Sequence, residues 1–137
     1  MLLTLHIVFA SAWIGLVAGE AVIELTAKDR STLEFVAKAH KLMDVYIEGP
    51  LVFLTLITGS FLLYNVWPNV TILSIVKITC GLAAIITNVL CIRWVVMRAN
   101  AGNESDFKKW AEKVNYTKYA IPLALAALVI GIFNSLE

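Results

Sequence analysis

The chain has 137 residues, of which 60% are hydrophobic and 15% charged, with a mean hydropathy of +0.82 and a formal net charge of +1. A soluble domain averages about 45–50% apolar and about 25% charged, so a chain this small cannot hide its own apolar surface and lipid must cover part of it. The near-neutral charge argues against nucleic acid or another polyanion as partner. The length suits an all-α integral membrane four-helix bundle, a single transmembrane domain over residues 1–137 with no room for a soluble catalytic domain.

A membrane span takes about 20 mostly apolar residues. The first predicted span covers residues 2–25. It lacks a basic leading region and a small-residue cleavage site, and therefore reads as a retained helix rather than a signal peptide. His6, Trp13 and Glu20 recur along it every seven residues, which stacks them on one face. The loop that follows carries Lys28, Arg30, Lys38 and Lys41. His40, set between the last two of these lysines, reads as a solvated or interfacial side chain. The second span covers 42–64, with Asp44 and Glu48 continuing a four-residue spacing from His40 and with Thr55 and Gly59 on roughly the same face. Trp67-Pro68-Asn69 then makes a tight turn. The third span covers 70–97, where Ser74, Lys77, Gly81, Ala84, Asn88 and Cys91 follow a helical stripe. Gly15, Gly59, Gly81 and Ala84 are small enough to let helices approach closely. Cys80 and Cys91 both sit in apolar runs and read as small hydrophobes rather than as a disulfide pair. The segment 98–113 is polar, broken by Asn100, Gly102 and Asn103, with Ser105 as cap of a short surface helix bearing Phe107 and Trp110. The fourth span covers 116–136, with Pro122 in its first turns.

The basic residues give the orientation. Lys28, Arg30, Lys38 and Lys41 flank the first loop, and Arg93, Arg98, Lys108, Lys109, Lys113 and Lys118 flank the third. The second loop and both termini carry none, so positive-inside bias places the first and third loops in the cytoplasm. In a bacterial inner membrane, both termini would then be periplasmic. This topology sorts the polar side chains by depth. His6 and Lys77 belong to an outer layer, with Tyr64, Trp67 and Asn134 near the same face. Glu20, Glu24, His40, Asp44 and Glu48 belong to an inner layer, approached by Arg93.

Ionisable side chains within spans are costly and usually face the bundle interior or a functional pathway. Glu20, Asp44 and Glu48 should therefore meet within reach of a single ion. Close carboxylates need a proton, a cation or an arginine between them, and Arg93 is the expected occupant. With His40 added, the same oxygen-rich set suits a divalent metal such as iron, manganese or zinc; a proton or quinone role is the third reading. His6 is open between an interfacial side chain, a haem ligand and a ligand to another metal, and Lys77 between a snorkelling lysine and an interior cation. Trp13 reads as packing. His6 and His40 lie near opposite faces and cannot share one metal ion.

The opening Leu5-His6 with Trp13-Ile14-Gly15 resembles the LHxxxxxxWxG start of several small membrane families: the copper-resistance D-like proteins, the HemJ-type protoporphyrinogen oxidases and the DUF2269 membrane proteins. The second span, from Asp44 through Glu48-Gly49-Pro50 to Thr58-Gly59, looks most like DUF2269, and a basic residue early in the third span, Lys77, is similar to the HemJ-type pattern. The resemblance covers the first three spans. It implies a haem b with His6 as axial ligand, Trp13 among the cofactor-binding residues, and Lys77 as a catalytic neighbour for a propionate or an acidic substrate. The chain departs from the HemJ-type pattern where it carries Glu20, Glu24 and Glu48. Three functions follow as expectations. One is a haem-b redox protein, an oxidase or an electron carrier to quinone. The second is a metal-binding or metal-transport accessory using Glu20, Asp44 and Glu48. The third is a structural subunit of a membrane complex. Each is compatible with a homo-oligomer.

Overall fold

A computed structural model describes residues 1–133, and every regular element among them is helical. Asn134 and the last residues of the expected fourth span lie outside the described residues. The elements are α1 (Leu2–Thr26), α2 (Arg30–Met43), α3 (Gly49–Val66), α4 (Ile72–Ala99), α5 (Glu104–Thr117) and α6 (Ile121–Phe133). A π turn over Asp44–Glu48 joins α2 to α3, and a 3-10 turn over Lys118–Ala120 joins α5 to α6. The chain is thus four long rods, Leu2–Thr26, Arg30–Val66, Ile72–Ala99 and Glu104–Phe133, each long and apolar enough to cross a membrane.

Two expected loops are mostly helix. The first shrinks to the few residues between α1 and α2, and the third to those between α4 and α5. Hydropathy marks only the part of a helix that would lie in lipid. The charged segments beyond it are good helix formers once capped. Asp29 caps α2, accepting from the Thr32 N–H at 2.9 Å. Its carboxyl is held well below the usual range by the Ser31 hydroxyl and by the Thr32 hydroxyl and N–H. Asn103, expected as a breaker, is the cap of α5 in place of Ser105, accepting from the Asp106 N–H at 2.8 Å. The helix bearing Phe107 and Trp110 therefore extends the fourth rod instead of lying apart from it.

The prolines explain the two irregular turns. Pro50 has no N–H for the Tyr46 carbonyl, and the backbone there widens into the π turn, closed by the Gly49 N–H on the Asp44 carbonyl. Pro122 leaves the Lys118 carbonyl without its usual donor, and the chain tightens into a 3-10 turn in which the Ile121 N–H takes that carbonyl. Both rods continue past their proline.

In the bundle, α1 packs on α3 and α6, while α4 packs on α6, α5 and α2. By contrast α3 and α4, though joined by a short turn with a cis Trp67–Pro68 bond, scarcely touch along their lengths. Trp13 and Ile14 of α1, Val52 of α3, Ala84 of α4 and Ala124 of α6 form one apolar layer across the middle. That layer divides the interior into two cavities. Gly15, expected on a packed stripe, faces outward with nothing within 4 Å of where its Cβ would be.

Candidate functional site

The inner half is built around α2 and the π turn. α2 buries Val36, Ala37 and His40 on one face. At about 100° per residue, an unbroken α-helix would rotate Glu48 by about 80° away from His40. The wider π turn absorbs part of that drift, and His40, Asp44 and Glu48 all point inward, at 7%, 0% and 1% exposure. His40 is therefore not the solvated side chain expected from its lysine neighbours. Lys38 is exposed and Lys41 reaches out to the Asn100 side chain just past α4 at 2.9 Å, while the imidazole is buried on the face packed against α4.

The polar groups form one connected network. His40 Nδ1 lies 2.7 Å from Glu24 Oε1, and its Nε2 lies 3.4 Å from both Glu20 Oε2 and Asp44 Oδ1. Arg98 forks onto Glu24, with Nη1 donating to Oε2 at 2.9 Å and Nη2 donating to Oε1. Trp13 Nε1 donates to Glu48 Oε1 at 3.1 Å, and Asn88 Nδ2 donates to the same oxygen. Glu20, Asp44 and Glu48 each offer an oxygen within 4.8 Å of the others, so these carboxylates meet as their depth predicts. His40, Asp44 and Cys91 form a second such group. A cavity of about 230 Å³ opens beside them, lined by Glu20, Glu24, His40, Glu48, Asn88 and Arg98 among others.

The expected arginine is the wrong one. Arg93 is exposed, whereas Arg98 is 3% exposed and holds Glu24. The buried stripe of α4 runs Ala84, Asn88, Cys91, Val95, Arg98. From Asn88 to Arg93 a helix turns about 140° off that stripe, while Arg98 returns to within about 20° of Cys91. The spacing that picks out Asn88 and Cys91 would have picked out Arg98 as well.

The outer half holds the other two sequence-predicted residues. A cavity of about 470 Å³ is lined from all four rods, including His6, Thr55, Gly59, Lys77, Ala127 and Gly131. His6 Nδ1 lies 3.0 Å from Thr58 Oγ1. The Thr58 hydroxyl spends its proton on the Leu54 carbonyl at 2.7 Å, so it accepts from His6 Nδ1–H and leaves Nε2 with the lone pair. Glycines give both side chains their space. A Cβ on Gly59 would come 3.0 Å from His6 Cε1, and one on Gly131 would come 3.0 Å from Lys77 Cε. Lys77 Nζ has no hydrogen-bond or ion-pair partner among the described residues. Trp13 touches both halves: its ring borders both cavities and its indole N–H reaches Glu48. His6 and His40 sit in separate cavities and share no ligand position.

No family model matches this chain, and no curated protein or solved structure matches it either.

Proposed function

We propose that the chain is an integral membrane four-helix bundle that binds haem b in its outer cavity and serves as a redox protein, an oxidase or an electron carrier to quinone. Membrane insertion is supported by an inverted pattern of burial. The most enclosed large side chains include Asp44 and Glu48, while Phe53, Ile86 and Val89 are 62%, 62% and 55% exposed. In water that arrangement is costly; in lipid it is the expected one. Tyr64 and Trp67 at one end, and Trp94 and Trp110 under Lys113 at 5.7 and 4.8 Å at the other, suit two headgroup regions. The basic α1–α2 and α4–α5 connections mark the cytoplasmic end.

One observation carries the haem reading: an imidazole with a fixed tautomer and an ammonium without a partner among the described residues border the same large apolar cavity. Imidazole is a standard axial ligand, and ligating histidines commonly donate their other ring N–H to a fixed acceptor, as His6 does to Thr58. The apolar walls suit a macrocycle and Lys77 suits an acidic side group on it. The LHxxxxxxWxG resemblance points the same way. Bound there, haem supplies one-electron chemistry at its iron, and the protein orients it, excludes water and offsets its acidic charge.

Absorbance of the detergent-purified protein tests this directly. A Soret band is expected, lost in His6→Ala and weakened in Lys77→Ala, with helix content unchanged. A colourless protein after expression with haem supplied, or an unaltered Soret band in His6→Ala, sinks the reading. Reporter fusions after Glu137 and within the α4–α5 connection test the orientation, with periplasmic and cytoplasmic signals expected respectively.

A further inference from the structure

The inner network is not used by the haem reading, and its unsatisfied groups are mostly acceptors. Asp44 is 0% exposed and neither of its carboxylate oxygens has a hydrogen-bond donor. Glu20 Oε1 and Asn88 Oδ1, on side chains 4% and 8% exposed, are likewise buried acceptors without a donor. Buried polar atoms are nearly always satisfied. Four unsatisfied oxygens of Glu20, Asp44 and Asn88 here stand against a single unsatisfied donor, Arg98 Nε. Arg98 turns both terminal nitrogens to Glu24, and its unpartnered Nε bonds none of these oxygens.

We infer that Glu20, His40, Asp44 and Glu48 form a site for one divalent transition-metal ion of the iron, manganese or zinc type. His40 is set up as a ligand. In the neutral imidazole with Nδ1–H on Glu24, which Arg98 holds in turn, Nε2 carries the lone pair and faces Glu20 and Asp44. A carboxylate behind a ligating imidazole fixes ring and tautomer in just this way. The spacing also fits. Ligands at about 2.1 Å from a tetrahedral ion stand about 3.4 Å apart, and Nε2 lies 3.4 Å from both Glu20 Oε2 and Asp44 Oδ1. The Glu20, Asp44 and Glu48 oxygens fall within 4.8 Å of one another, close enough for small rotations to bring all three onto one ion.

The chemistry selects the class of ion. Oxygen donors with one imidazole favour borderline divalent ions over a soft ion such as Cu(I). Charge agrees: Arg98 is taken up by Glu24, so Glu20, Asp44 and Glu48, once ionised, have only His40 or a bound cation to balance them in a bundle whose outer surface is apolar. A divalent cation removes most of that charge and satisfies the orphaned Asp44 oxygens at once. Trp13, bonded to Glu48 Oε1, places a fluorophore against the site.

The test uses the full chain in detergent, stripped with chelator and then equilibrated separately with Mn(II), Fe(II) and Zn(II). Elemental analysis after desalting should find one equivalent of at least one of these ions, with a change in tryptophan fluorescence that is absent in Trp13→Phe. Asp44→Asn and His40→Gln should lose the ion, and Glu24→Gln should weaken it by about 10- to 100-fold by freeing the imidazole. His6→Ala should keep it, which separates this site from the haem reading: loss of the Soret band alone leaves the inner ion in place. Absence of bound metal in the wild-type protein with all three ions overturns the inference and leaves protons as the neutralising species. Stoichiometric binding that survives both Asp44→Asn and His40→Gln in folded protein overturns it too, by placing the ion elsewhere.

Discussion

The two halves of this bundle solve the same problem in opposite ways. The inner half is crowded with polar side chains, most of which answer one another, Glu24 with Arg98 and His40 and Glu48 with Trp13 and Asn88, while Asp44 is left without a donor. The outer half has the larger, mostly apolar cavity, and among the described residues its ionisable groups join no network: His6 rests on Thr58, and Lys77 has no hydrogen-bond or ion-pair partner. Buried polarity that is internally paired mainly specifies how helices dock. Buried polarity left facing an apolar cavity is suited to a ligand that supplies the missing partner. The apolar layer of Trp13, Ile14, Val52, Ala84 and Ala124 keeps these environments separate.

The sharpest way to break this contrast is to compare the two arginines of α4. Removing one partner of a buried ion pair costs about 3–5 kcal/mol. Arg98→Ala should therefore lower unfolding free energy in detergent by about 3 kcal/mol, because Glu24 loses the guanidinium that holds it beside His40. Arg93→Ala, on an exposed position, should change it by less than about 0.5 kcal/mol. Equal effects would mean that the inner network does not hold the helices together.

The glycines sharpen the outer half. Gly59→Ala should destabilise by about 1–2 kcal/mol, because the new methyl meets the His6 ring at 3.0 Å and the ring must move off Thr58. The same substitution at Gly15, where nothing lies within 4 Å, should stabilise by about 0.5–1 kcal/mol through helix propensity alone. Thermal unfolding of the two variants side by side reads the difference in sign.

Trp13→Phe probes the joint between the halves. It keeps the ring that closes both cavities but removes the donor to Glu48, which keeps Asn88. A loss of about 1.5–3 kcal/mol is expected, the cost of one hydrogen bond to a carboxylate, no larger than that of Arg98→Ala. The smallest effect belongs to the exposed cap. Asp29→Ala should speed amide exchange in the first turn of α2 without touching either cavity. Because hydrogen bonding lowers the Asp29 carboxyl in the folded chain, its contribution is present above the ordinary aspartate range, about pH 4. It disappears as pH falls through the lower folded value. Exchange in that turn should thus rise only under strongly acidic conditions in the parent and at every pH in the variant.

Much of this architecture was legible in the chain, because hydropathy over about 20 residues and helical spacing are local properties. They were enough for four apolar rods, for the meeting of Glu20, Asp44 and Glu48, and for the Ala84, Asn88, Cys91 face of α4. They also set His6 and His40 in different layers, with Lys77 beside the former. The choice of Arg98 over Arg93, which stands about 140° of azimuth off the Asn88 face, lay in that same spacing. What needed the tertiary structure was packing beyond the apolar window: the burial of His40 turns on α2 continuing as helix against α4 instead of ending as a loop. The π turn at Asp44–Glu48 could not be read from a regular period, since Pro50 changes the period at the place where the carboxylates must face inward.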